Sequence, residues 1–227
     1  MRALTIFFLS LFSLPLVLNA QSVDEMLQKV SAAIESGQHG QAVSYFRQTI
    51  GLNIDRTEMF YWTSIDKSSE ISSKLAVELA SAYRRNRSYD KAYLFYKELL
   101  QKTPDNVDYL EACAEMQVCR GQEKEALRMY EKVLQLDADN LAANIFLGNY
   151  YYLMAEKEKK RLDTDFKKLA SPTKMQYARY RDGLSKVFST DYQKARNSLR
   201  KVISQFPSTE AQKTLDKILR IEKEVNR

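Results

Sequence analysis

The chain has 227 residues, enough for one ordinary domain or a short repeat array with a sizeable core. Six glycines and four prolines among abundant Leu, Ala, Lys, Glu and Tyr point to a mostly helical protein, and 44% hydrophobic with 28% charged residues excludes a disordered one. The net charge of +6 is mild and its signs alternate, as in EKEKKR at 156–161, which reads as a solvated helix face and excludes a nucleic-acid-binding surface.

Residues 1–20, MRALTIFFLSLFSLPLVLNA, place one positive charge (Arg2) before an apolar run from Leu4 to Leu18 that is interrupted by Pro15 and followed by Ala20. That order predicts a secretory signal cut before Gln21, the alternative being an uncleaved anchor. No Cys follows the run, which argues against a bacterial lipid anchor, and no second apolar stretch of membrane length follows, so the mature chain is expected to carry no membrane span. Setting Arg2 aside leaves 34 basic against 29 acidic residues, a balance of +5. Ser22-x-x-Glu25 predicts a capped helix start directly after the cut.

Small and large apolar residues then recur at fixed spacing. Ala42 is followed by Phe46 at +4; Ala92 by Tyr96, Leu99 and Pro104 at +4, +7 and +12; Ala126 by Tyr130 and Val133; Ala195 by Leu199, Val202 and Pro207. Each set is one helical stripe, in which the small residue admits a neighbouring backbone and the proline stops the helix. Each such helix is preceded by another: Ile71, Leu75, Leu79 and Tyr83 before Ala92, and Leu110, Cys113, Ala114 and Gln117 before Ala126. Gly37 and Gly121, five residues before a small anchor, fit tight turns between paired helices. A roughly sixteen-residue excess between the first two pairs holds Met59-Phe60-Tyr61-Trp62, which is either a ligand-facing knob or, as expected, a place where Phe60 and Trp62 plug the joint. Cys113 and Cys119 fall in one helix, their Cα atoms about 9 Å apart, beyond disulfide reach, so both are expected as free thiols. Leu162, Phe166, Leu169 and Ala170 continue a stripe beyond Tyr151 with no turn glycine before it, so 156–170 is either a second helix or an extension of the helix that starts at Leu141. Ser208 opens an amphipathic closing helix over 209–225.

The 34-residue offset that lays 88–106 onto 122–140 resembles the tetratricopeptide repeat family. The resemblance implies an all-α, right-handed superhelix of antiparallel helix pairs with a C-terminal capping helix, its units near 23–56, 73–106, 107–140, 141–175 and 176–209. In that family the concave wall is built by first-helix positions two, five, nine and twelve. Carried over, these are Lys74, Val77, Ser81 and Arg84; Asp108, Glu111, Glu115 and Val118; Ala142, Ile145, Asn149 and Tyr152; and Tyr177, Tyr180, Leu184 and Val187. The residue set that grips a C-terminal carboxylate in some members is not matched, since Val77 and Phe146 stand in two of its places. The resemblance implies a non-enzymatic scaffold or adaptor that holds a peptide or protein partner, expected in the cell envelope. Tyr152, Tyr177 and Tyr180 also suggest the alternative of a carbohydrate- or peptidoglycan-binding module. The single histidine, His39, has no acidic neighbour, and no phosphate loop or metal-ligand spacing is present, so no catalytic residue, metal or cofactor is expected.

Overall fold

The computed structural model describes residues 22–225, which are helices joined by short links with no strand among them. The expected signal segment, 1–20, lies outside the described residues. Two compact units divide the chain near Asp66.

The first unit contains α1 (Val23–Glu35), α2 (His39–Leu52) and α3 (Ile54–Ser64). Ser22 caps α1 by accepting from the Glu25 N–H, and Asn53 caps α3 by accepting from the Arg56 N–H. Ala42 and Phe46 are fully buried, as their spacing predicts, and so is Val30 of α1. The sixteen-residue excess is largely α3. It buries Thr57 and Tyr61, one turn apart, and leaves Trp62 47% exposed. The expectation for the aromatic cluster is therefore corrected. Tyr61 is the fully buried ring, Phe60 is half-buried, and Trp62 sits at an angle of about 100° from Tyr61 on the helix, facing outward. An ion pair between Arg56 and Asp24 at 2.9 Å ties α3 to α1.

The second unit contains α4 (Glu70–Arg85), α5 (Tyr89–Lys102), α6 (Val107–Cys119), α7 (Glu123–Leu136), α8 (Leu141–Lys167), α9 (Lys174–Val187), α10 (Gln193–Gln205) and α11 (Thr209–Val225). Its first four helices form two antiparallel pairs, α4 with α5 and α6 with α7. Their anchors Ala92 and Ala126 are fully buried, as are the i+7 residues Leu99 and Val133. The turns after α1, α4 and α6 close in the same way. In each, a backbone N–H reaches back five residues to a carbonyl of the last helical turn: Gln38 to Ala33, Ser88 to Tyr83 and Gln122 to Gln117, at 2.8 to 2.9 Å. The residue before each donor is left-handed: Gly37 at φ 72°, Arg87 at φ 58° and Gly121 at φ 73°. Arg87 occupies a place that the other two turns give to glycine.

Beyond Leu141 the helices are joined differently from the regular pairs before it. α8 runs unbroken for 27 residues to Lys167, so 156–167 extend the helix that starts at Leu141 and form no second helix, and 168–170 lie in the link that follows. The segment has no glycine to turn on, and its exposed face carries the i,i+4 ion pair Arg161–Asp165 at 3.4 Å. Nor is there a turn before Ala195. Thr190 stands five residues ahead of it, and the chain passes from α9 through a π turn (188–192) straight into α10. The buried residues step by five from Val187 to Tyr192. Five residues of α-helix would swing the stripe about 140° away, and the wider π turn brings Tyr192 back toward the Val187 side.

The result is one long antiparallel hairpin. Gly148 meets Leu199, Lys194 lies over the Tyr151 ring, Tyr192 donates to Glu156 at 2.5 Å, Gly183 meets Leu162 and Tyr180 stacks on Phe166. The base of α8 therefore takes α10 as its second helix, and 155–192 form the outer part of the hairpin. α11 packs on α10 and closes the unit.

Candidate functional site

A cavity of about 540 Å3 opens among α4, α6, α7 and α8. Arg84 comes from the last turn of α4. Glu111, Glu115 and Val118 come from α6, spaced three or four apart so that they share one side of the helix. Ala142, Ile145, Phe146, Asn149, Tyr150 and Leu153 give the same periodic face from α8, while Glu123 and Tyr130 of α7 complete the lining. Ile145 is 43% exposed and Leu153 61% exposed, and together within this lining they make an apolar floor open to solvent. The rings of Tyr130 and Phe146 lie 4.6 Å apart, and those of Phe146 and Tyr150 lie 5.8 Å apart, so three aromatic side chains run in series along the wall.

The charged groups of this cavity are held in place. Arg84 makes a two-pronged contact with Glu115, at 3.1 Å from Nε and 2.5 Å from the terminal nitrogen. Partial burial works against the Arg84 charge, but the adjacent Glu115 carboxylate outweighs it and raises the guanidinium pKa above its ordinary value. Glu111 accepts from the Asn140 side-chain amide at 2.8 Å. The Tyr130 phenol is pushed up to about 12, first by burial and then by the negative charges of Glu115 and Glu111.

Of the residues expected on the concave wall, Arg84, Glu111, Glu115 and Asn149 are brought together here, along with Val118, Ala142 and Ile145. Lys74 lies apart from the cavity and pairs with Glu70 at 2.8 Å. Tyr152 points to the other side of α8, its ring 6.2 Å from that of Tyr192. Tyr177 and Tyr180 sit on α9 against Phe166, with ring separations of 5.9 and 4.3 Å, and the Tyr180 hydroxyl donates to Asp163 at 2.7 Å. Sequence reasoning missed Tyr150, Leu153, Glu123 and Tyr130 as lining residues. Tyr150 and Leu153 were findable: both lie within one turn of Phe146 and Asn149 on the face that carries Ile145. Among the described residues no cluster of three or more His, Cys, Asp or Glu could hold a metal, and no helix is long and apolar enough to cross a membrane. Cys113 is buried and Cys119 exposed, both as free thiols.

A tetratricopeptide repeat profile matches residues 75–107, and a second one matches residues 177–209. No curated protein matches the chain. Among solved structures, one from Bacteroides ovatus, provisionally described as a protein binding protein, is 85% identical, covers 90% of this chain and 100% of its own, and superposes with a TM-score of 0.81. A tetratricopeptide repeat protein from Parabacteroides merdae is 16% identical, with 89% of this chain and 74% of that one covered, at a TM-score of 0.39. A thermophilic TPR protein from Thermus thermophilus is 14% identical over 87% of this chain and 99% of its own, at a TM-score of 0.34. The two profile matches, the repeated helix pairs anchored on Ala92 and Ala126, and the identical closing of the turns at Gly37, Arg87 and Gly121 agree: the chain belongs to the tetratricopeptide repeat family.

Proposed function

We propose that this protein is a non-enzymatic adaptor of the cell envelope, exported by residues 1–20, that holds a segment of a partner protein in the cavity between α4 and α8. The observation that carries the reading is the exposed apolar floor of Ile145 and Leu153, set among rigid aromatic rings and fixed carboxylates. Exposed aliphatic side chains cost stability unless a partner covers them, and a floor flanked by aromatic rings is the composition of interface hot spots. The 85% identical Bacteroides ovatus protein, provisionally described as protein binding, supports the same class of activity. A carbohydrate platform built on Tyr152, Tyr177 and Tyr180 finds less support, because Tyr152 faces Tyr192 while the other two flank Phe166.

The test is photo-crosslinking in the envelope of the producing cell, with a benzophenone amino acid placed at Asn149, at Leu94 on the exposed side of α5, or at Tyr177. A defined protein adduct from position 149, absent from positions 94 and 177, is the expected result. Adducts from 94 or 177 alone, or loss of the adduct on adding glycan fragments, would overturn the proposal. A mature chain beginning at Gln21 by mass spectrometry, recovered from the envelope fraction, checks the export step.

A further inference from the structure

The charge on the cavity wall differs in sign from that of the chain as a whole. The sequence carries +6, yet three of the lining side chains, Glu111, Glu115 and Glu123, are carboxylates and only Arg84 is a cation. Arg84 is committed to Glu115 through two contacts, so these two cancel toward any incoming group. The hydrogen bond that Glu111 accepts comes from a neutral amide and leaves its charge intact. Two net negative charges therefore flank an apolar floor and a run of aromatic rings, whose faces also attract cations.

We propose that the occupant of this cavity is a cationic, apolar segment of a partner protein, in which Lys or Arg side chains meet Glu111 and Glu123 while aliphatic side chains cover Ile145 and Leu153. The inference rests on the cavity being the docking site, as proposed above. It runs against the bulk electrostatics: a basic protein attracts anionic peptides non-specifically, so a preference for a cationic one has to originate at a local acidic site. The contrast makes the charge of the ligand a sharp readout.

The experiment uses two synthetic 16-residue amphipathic peptides, identical except that one carries Lys and the other Glu at every charged position, titrated into the protein by calorimetry. The Lys peptide is expected to bind about tenfold more tightly than the Glu peptide at low salt, with the gap narrowing in about 0.5 M salt, as for partly screened rim charges. Glu111→Gln with Glu123→Gln should shrink the preference to within about threefold while leaving the thermal midpoint unchanged. Ile145→Ser with Leu153→Ser should weaken the Lys peptide by at least about tenfold, which locates binding at the cavity. Binding that depends on Ile145 and Leu153 but is equal for both peptides, or favours the Glu peptide, overturns the charge inference and leaves the cavity as docking site. Lys-peptide binding that is indifferent to both the Ser and the Gln substitutions, or no binding at all, overturns both.

Discussion

Gly148 and Gly183 form a matched pair of probes for the long hairpin. A Cβ added at Gly148 would stand 3.1 Å from both Cγ and Cδ2 of Leu199 and 3.5 Å from Cβ of Ser198. Leu199 is 2% exposed and hemmed in by the core, so it has little room to withdraw. Replacing a helical glycine by alanine gains about 1 kcal/mol of helix propensity. Forcing a methyl group into a packed core costs about 1–3 kcal/mol. Gly148→Ala should therefore lose about 1 kcal/mol net, or about 3 °C of thermal midpoint. At Gly183 the added Cβ would meet the two Cδ atoms of Leu162 at the same 3.1 Å. Leu162 is only half-buried and borders an open cavity with Phe166 and Tyr180, so it can turn aside. There the propensity term wins, and Gly183→Ala should gain about 0.5–1 kcal/mol. Thermal melts of the two single variants, with double-mutant cycles to Leu199→Ala and Leu162→Ala, complete the test. A coupling of about 1 kcal/mol is expected between 148 and 199, and none between 148 and 162. Coupling of Gly148 to Leu162 in place of Leu199 would mean that α8 folds back on itself, and the pairing of its base with α10 would be wrong.

Arg87→Gly should stabilise the protein by about 0.5–1 kcal/mol, since relief of a left-handed arginine outweighs the extra chain entropy of glycine; a lower midpoint would show that the turn depends on the Arg87 side chain. Tyr61→Ala should cost about 3–5 kcal/mol by chemical denaturation and Trp62→Ala about 0.5, an order that would reverse if Trp62 were the plug of the first unit. Titration with a thiol reagent at pH 8 should consume one thiol per chain at once, the exposed Cys119. The second, Cys113, whose pKa burial pushes up to about 12, should react only in denaturant. Burial and, for the last three, a carboxylate acceptor raise the Tyr130, Tyr180, Tyr151 and Tyr192 phenols above the ordinary value, Tyr130 and Tyr180 to about 12. The fold thus holds these protons more tightly than the unfolded chain, whose phenols titrate near pH 10. Their contribution is complete below about pH 10 and is lost as the pH climbs through 12, so the denaturation midpoint should fall over that window, less steeply in Tyr192→Phe.

The repeats over 73–140 were legible because each step is local: a stripe of Ala92, Tyr96 and Leu99 names its own buried face, and Gly121 names its own turn. Arg87 hid the second turn because an αL position can be forced on a residue that does not advertise it. The partner of Gly148 was not legible for a different reason. Periodicity shows that a face is apolar, not what covers it, and Leu199 lies 51 positions along the chain. The same limit separated Tyr150 from Tyr152. Both lie on α8 about 200° apart, and only the placement of α6 and α10 decides which looks into the cavity and which onto Tyr192. Glu111 and Glu115 lie four apart and so share one side of α6, whereas Glu123 belongs to the following helix and no spacing rule reaches it.

Through the π turn at 188–192, α9 and α10 join without a loop, so residues 174–205 make one continuous spar of about 48 Å. Whatever takes hold of Met175 or Tyr177, both exposed near its far end, hauls directly on the helix whose Leu199 seals the last pair. The outer hairpin is a handle and not a tether: force applied at its tip arrives in the core.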